Sequence, residues 1–303
     1  MAATAAPLLT LDWTRFRPRR VQAVRHRLDQ HPLLQPAALL ALARRLEAVG
    51  QLRGIGADAN AGTQFIATAA DAGSVQRIGG EKGWAVLRYV QVDPTYRGLV
   101  DTVLDSLQPY VERVDPGMHY RAGFVFISAR HTVTPFHMDV ENNFILQMRG
   151  HKTLYVWEPD DAIAVSEEAR DRFHHHRDLI RWHEELRKRA HVFELHAGEG
   201  AYMPATSPHM VETGEELSVT MSFTYLTDAT RHDAWLHNLH YLMRRAGLHP
   251  SPVGRHPALD ALGWRAVAAL LGARRIAQRA AGRPVEPAHP PYATPRPNEA
   301  GRA

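Results

Sequence analysis

The feature that most constrains the fold is a series of short strand-like segments between about residues 120 and 226. Phe124-Val-Phe-Ile127, Phe144-Ile-Leu146 and Thr153-Leu-Tyr-Val-Trp157 are rich in β-branched and aromatic residues, and Arg149-Gly150 and Glu158-Pro159-Asp160 supply turns. Strand patterns resume at His191–Leu195, Gly200–Met203 and Leu217–Tyr225. Between the two groups, Ser166 to Ala190 reads as one long helix, with Ser166 as its cap and Glu167 and Glu168 at its positive end.

Helical patterns flank the series. Residues 20–49 carry Leu39, Leu40, Ala43, Leu46 and Val49 at helical spacing, with Pro36 as a start and Gly50 as a stop. Trp84–Val92 reads as a strand, and Asp93-Pro94 then opens a helix with Asp93 as N-cap. Thr230–Ala246 is helical, with a Thr230/Asp233 capping box and Gly247 as its stop, and a further helix covers 257–280. Such an order favours a mainly β fold, a barrel or double sheet with a helical surround, over an alternating parallel sheet. The expected division is 1–110 for N-terminal helices and flanking strands, 111–228 for the core with its insertion at 160–190, and 229–281 for C-terminal helices. The Pro-rich and polar stretch 282–303 reads as a disordered tail.

Composition removes several function classes. With no cysteine among 303 residues, disulfide scaffolds and thiolate metal sites are excluded. A formal net charge of +4 gives no ground for expecting nucleic acid as a partner. Residues 1–20 lack the apolar core of a signal peptide, and no apolar run is long enough for a transmembrane segment, so the cytoplasm is the expected location. The 19 histidines are the anomaly, and the question is which of them converge.

Thr134-Pro-Phe-His137-Met-Asp139 offers one answer. On a strand, residues two apart face the same side, so His137 and Asp139 would point together into a barrel. His209, in Gly198-Glu-Gly-Ala-Tyr-Met-Pro204-Ala-Thr-Ser-Pro208-His209-Met-Val211, is the best third ligand, with Gly198 and Gly200 permitting a tight turn before it. Two imidazoles and a carboxylate form a facial triad that leaves positions open on iron(II), whereas structural zinc sites close with four protein ligands. A bare His-x-Asp also occurs on ordinary polar strand faces.

The surrounding residues sharpen the reading. Thr134-Pro-Phe-His-Met-Asp139 followed by Asn143-Phe144, Gln147, Gly150 and Lys152 resembles the JmjC/cupin-like family of iron(II)- and 2-oxoglutarate-dependent oxygenases. That group includes the asparaginyl hydroxylase of hypoxia-inducible factor and bacterial cupin-like relatives. Gly198-Glu-Gly200, Pro204 and His209-Met-Val211 resemble its second metal-binding segment, and the match spans roughly 120–226. The resemblance implies a double-stranded β-helix, also called a jelly roll or cupin barrel. It implies iron(II) on His137, Asp139 and His209 as the catalytic centre, with 2-oxoglutarate as co-substrate. Lys152 would hold the distal carboxylate of 2-oxoglutarate, Thr134 would donate to the same carboxylate, and Asn143 would approach its metal-proximal end. Tyr89 could add a phenol contact. Where relatives carry a late-strand asparagine, this chain offers Ser222 or Thr224.

The implied activity is hydroxylation, with oxygen as the second co-substrate and a protein or peptide side chain or a small molecule as primary substrate. The alternative is a non-catalytic cupin-like module for ligand binding or regulation. His174-His-His176 lies in the insertion, where adjacent helical residues point apart and should not share a metal. Trp235, Leu236, Leu239, Leu242 and Met243 read as packing core or a dimer seam, which makes a homodimer through the C-terminal helices a candidate assembly. Arg265, Arg274, Arg275, Arg279 and Arg283 make this end basic, read as a solvated helix face plus tail.

Overall fold

The structure is a computed structural model that describes residues 7–55, 59–63, 68–77 and 83–282. Most of the tail expected at 282–303 therefore lies outside the described residues. The chain begins with β1 (Leu9–Thr10), β2 (Gln22–His26), α1 (Pro36–Glu47), β3 (Leu52–Ile55), β4 (Thr68–Ala69), α2 (Ala72–Arg77), β5 (Trp84–Leu87) and α3 (Pro94–Val111). Then come β6 (His119–Ser128), β7 (Val133–His137), β8 (Asn142–Arg149), β9 (Lys152–Val156) and α4 (Glu167–His176). The chain continues through β10 (His191–Leu195), β11 (Glu199–Met203), β12 (His209–Thr213), β13 (Ser218–Leu226), α5 (Asp228–Arg245) and α6 (Pro257–Ala280).

Two antiparallel sheets result. The major sheet has the order β1-β2-β11-β8-β13-β6-β5-β3-β4, and the minor sheet β10-β9-β12-β7. The eight strands β6–β13 divide into β11-β8-β13-β6 and β10-β9-β12-β7, which is the strand order of a jelly roll. The N-terminal strands lengthen the major sheet at both edges, β2 beside β11 and β5 beside β6.

The core has three compartments. Phe144, Leu146 and Met148 of β8 join Tyr96, Leu99, Val103 and Leu107 of α3 and Leu39, Leu42 and Leu46 of α1 on the outer face of the major sheet. Ile145, on the opposite face of β8, packs with Leu154, Val156, Leu195, Ala201, Met203 and Val211 between the sheets. The outer face of the minor sheet is covered by the insertion, where Phe136, Trp157, Phe173, Leu186 and Met210 form a third cluster. β8 is thus buried on both faces, and its continuous apolar run shows no alternation for that reason.

Several local expectations hold. Asp93 caps α3, accepting from the amides of Thr95 and Tyr96, and Ser166 caps α4, accepting from Ala169. Others need correction. Residues 20–49 are not one helix, because Gln22–His26 finds backbone partners in β1 and β11 and becomes a strand. Trp84–Val92 is a strand only to Leu87; Val90–Val92 is a 3-10 turn. The helix at 166–190 stops at His176, where Arg177 takes a left-handed conformation with φ 61°. There Trp182 turns inward against Phe136 and Trp157 (ring centroids 5.3 and 5.9 Å away), and Trp157 donates Nε1–H to the carbonyl of Leu186. Those tertiary contacts outweigh the helix propensity of the stretch. The capping box of α5 is Thr227 with Thr230, not Thr230 with Asp233. No helix among the described residues is long and apolar enough to cross a membrane.

Candidate metal centre

β7 and β12 pair so that His137 stands opposite His209 and Thr134 opposite Val211. Three steps along β7 therefore match two along β12, which is a β-bulge in β7. Directly opposed residues share a face, and so do His209 and Val211 two apart. The bulge thereby places Thr134 and His137 on the same interior face, which a regular strand would forbid at that spacing.

Asp139 reaches the same spot differently from the sequence expectation. β7 ends at His137, and Asp139 lies in the loop beyond it. Its backbone carbonyl accepts from the amide of Thr206 at 2.7 Å, which fastens this loop to the segment leading into β12. The carboxylate Oδ2 lies 3.9 Å from His137 Nε2 and 3.7 Å from His209 Nε2. One ligand atom from each of the three residues fits within a mutual separation of 4.8 Å.

Both rings are oriented by the same device. His137 Nδ1 donates to the carbonyl of Pro135 at 2.7 Å, and His209 Nδ1 to that of Ser207 at 3.0 Å. A carbonyl can only accept, so the proton sits on Nδ1 and the Nε2 lone pair is turned toward Asp139. This is the outer-shell bond that metal-bound histidines characteristically make. Burial and the neighbouring His209 ring push the His137 imidazole down to about 4, against the opposing pull of Asp139. The ring is therefore neutral, as a ligand must be. The donor set suits a divalent metal of the iron class better than a closed zinc site.

Lys152 begins β9 and points into the barrel with Leu154 and Val156, residues of the same parity that sit in the interior cluster. It is only 3% exposed, and burial alone pushes its amine down to about 7. Its Nζ lies over the Phe126 ring, 6.0 Å from the centroid. No carboxylate lies within ion-pair distance of this buried amine among the described residues. Lys152 is paired with Thr213, while His209 is paired with Val156. Four residues of β9, about 13 Å, thus separate the lysine from the histidine row.

Thr134 is buried in the row between them, and its partner Val211 stands opposite Leu154. Asn143, on β8, pairs with Met203 and Thr224, and its buried Oδ1 has no hydrogen-bond partner among the described residues. Ser222 pairs with Ile145, on the same face, and its buried Oγ likewise has no partner among the described residues. Both late-strand candidates, Ser222 and Thr224, thus line the barrel. Tyr89 is buried against the Phe124 ring, with centroids 5.0 Å apart. Gln147 is saturated, donating to the Arg149 carbonyl and Ser218 and accepting from Thr220, so it closes the far end of the barrel. Glu141, not singled out from sequence, has its carboxyl pushed up to about 7 by burial and by the charge of Asp139.

The histidine run lies apart from this centre. His174 stacks on His237, His175 bonds Asn238, and His176 bonds the Tyr241 hydroxyl, three separate destinations along α5.

Residues 76–231 match the cupin-like domain family. The chain belongs to that family. Its JmjC-type character agrees with the resemblance drawn from the residues. This cupin-like fold is similar to that of YcfD from Escherichia coli, at a TM-score of 0.55 and 17% identity, over 87% of this chain and 68% of that one. A second structure, of the E. coli ribosomal oxygenase YcfD in complex with cobalt and 2-oxoglutarate, aligns at 0.50 and 16% identity over 87% of this chain and 67% of that one. At such identities the likeness is one of fold. No curated protein matches the chain.

Proposed function

We propose that this cupin-like protein is an iron(II)- and 2-oxoglutarate-dependent oxygenase that hydroxylates a protein or peptide side chain or a small molecule. The observation that carries the proposal is the presence, inside one barrel, of an open three-ligand set and a buried lysine without a counter-charge. The donor chemistry fits iron(II), and the lysine fits the distal carboxylate of a dicarboxylate co-substrate.

His137, Asp139 and His209 would hold the iron, and Lys152 the co-substrate, with Thr134 as a second donor. When bound, iron and 2-oxoglutarate supply the oxidising chemistry that couples decarboxylation of the keto acid to insertion of one oxygen atom from O2 into the substrate. The protein's own share is orientation and exclusion of water. The Pro135 and Ser207 carbonyls keep both imidazoles in one tautomer and one orientation. The apolar interior around Leu154, Val156 and Val211 lowers the local dielectric, which strengthens a charge-assisted bond from Lys152. Asn143 Oδ1 and Ser222 Oγ are acceptors available to a bound molecule. The half-exposed carboxylate of Asp139 marks the side from which substrate can approach.

A non-catalytic cupin-like module would need neither feature, and turnover separates the two readings. With iron(II), 2-oxoglutarate and oxygen, we expect succinate to form and an accepted substrate to gain one oxygen by mass. An iron-loaded, folded protein that binds 2-oxoglutarate yet forms no succinate with any candidate substrate would favour the binding module. YcfD is a ribosomal oxygenase, so ribosomal proteins are a sensible first substrate panel. For self-assembly we propose a homodimer through the C-terminal helices, since Leu259, Leu262, Leu270 and Ile276 of α6 are 57–69% exposed. Sedimentation at micromolar concentration tests this, and a monomer there would refute it.

A further inference from the structure

We propose that Arg170, on the inserted helix α4, is a positioning residue for the metal site; this rests on the triad reading above. Arg170 is 3% exposed; both of its Nη groups are used, while its buried Nε has no hydrogen-bond partner among the described residues and only the charge of Glu167 nearby. Nη1 donates to the main-chain carbonyl of Thr206 at 3.3 Å and Nη2 to that of Asp161 at 3.2 Å. Glu167 lies 3.7 Å from Nε and balances the charge.

Thr206 is the point through which two ligands are set. It holds a left-handed conformation, φ 62°, that a β-branched residue rarely adopts. Its amide donates to the carbonyl of Asp139, a candidate ligand. The next residue, Ser207, donates its amide to the Pro204 carbonyl and offers its own carbonyl to Nδ1 of His209, another candidate ligand. Arg170 therefore grips a strained turn that bonds outward to Asp139 and His209, as well as to Asn142 Oδ1 through the Ala205 amide. Strain of this kind persists only when the surroundings over-determine it.

The grip has a fixed base. The next residue, Asp171, is 1% exposed and bonds both His237 and Arg244 of α5 at 2.7 Å. Phe173 anchors the same helix in the cluster over the minor sheet. The insertion thus has a task beyond covering a sheet face, namely to hold the turn at 204–207 from outside the barrel.

Cobalt(II) tests this without turnover, because its visible spectrum reports ligand geometry. Arg170→Met, Arg170→Lys, His137→Ala and the exposed same-helix control Arg172→Met would be titrated with cobalt(II) alongside wild type, with thermal unfolding of the metal-free proteins measured separately. Wild type and Arg172→Met should bind alike, and His137→Ala should lose the ion, which places it at the triad. Arg170→Met should bind about 10- to 100-fold more weakly with an altered spectrum, the range seen for outer-shell partners. If Arg170→Met does not fold, Arg170→Lys decides, since one ammonium on a shorter fork cannot reproduce both bonds and should show the same change in smaller measure. Wild-type affinity and spectrum in a folded Arg170 variant, even one of lowered thermal midpoint, would overturn the proposal. A wild-type protein that takes up no cobalt(II) would overturn the triad reading and this one with it.

Discussion

His137 and His209 are direct cross-strand partners of β7 and β12, with ring centroids 4.1 Å apart, and each donates Nδ1–H to the carbonyl two residues before it. The two rings are therefore locked in tautomer and orientation by short-range backbone bonds, before any ligand arrives. Asp139 completes the set from a loop and is the less constrained member, with its side chain 47% exposed.

The first prediction concerns the triad. One divalent metal should bind per chain, and His137→Ala, Asp139→Ala and His209→Ala should each abolish binding of stoichiometric iron(II) or cobalt(II). Because its side chain is half exposed, Asp139→Ala should leave the metal-free thermal midpoint nearly unchanged, as surface substitutions do. Calorimetric titration and metal analysis check this, and undiminished metal content in all three variants would refute the assignment.

Lys152 should govern 2-oxoglutarate affinity and not metal affinity. A charge-assisted hydrogen bond contributes about 1.5 to 3 kcal/mol, so Lys152→Met should weaken co-substrate binding roughly 10- to 150-fold. The same substitution should stabilise the ligand-free protein at neutral pH, because it removes an amine whose charged form burial penalises. Calorimetry on the manganese-loaded protein, together with thermal unfolding, gives both readouts; an unchanged co-substrate affinity would leave Lys152 without the proposed role.

A pH dependence follows from the lysine. Its amine is pushed from an ordinary value of 10.5 down to about 7 in the folded, ligand-free protein. Between those values the unfolded chain binds the proton and the folded chain does not, so this group's contribution to stability rises with pH across about 7 to 10.5. A bound carboxylate favours the charged amine, so 2-oxoglutarate affinity should fall as pH rises above about 7, with net proton uptake on binding. Titrations in buffers of different ionisation enthalpy measure that uptake. In Lys152→Met this part of the uptake should vanish; its persistence would assign the proton elsewhere.

The histidine run should matter for stability and not for metal. His175 and His176 each bond a residue of α5, at 2.8 and 2.6 Å. Replacing both with alanine removes two hydrogen bonds of about 1 kcal/mol each, which should lower the thermal midpoint by about 3 °C in a chain of this length. Metal stoichiometry should be unchanged. Loss of the ion from the folded variant would contradict the separate destinations of these rings.

Gly200 should resist enlargement. Gly198 does occupy a turn, at φ 89°, but Gly200 lies within β11, where a Cβ would collide with the Ile145 carbonyl and with Leu146. Gly200→Ala should destabilise the protein by about 1–3 kcal/mol, the range for overpacked sites. Chemical denaturation measures the loss, and a neutral result would mean that β8 can yield.

The sequence by itself indicated the class of fold, most of the core strands, and the candidate site residues, because most of these rest on local information. Strand composition, the Asp93 and Ser166 caps, and the fixed spacing from Thr134 to Lys152 are read within a few residues of one another. Tertiary structure decided what depends on partners distant in the chain. Gln22–His26 is a strand because β11 supplies its bonds, and the helix begun at Ser166 stops where Trp182 finds Phe136 and Trp157. The bulge that turns both Thr134 and His137 inward exists only in the register with β12, and Asp139 is held by an amide 67 residues away at Thr206. Arg170 carried no local signal, since a lone arginine on a charged helix looks solvated until the fold buries it over the turn at Thr206. Periodicity reports which face of an element is apolar; only packing reports what that face meets.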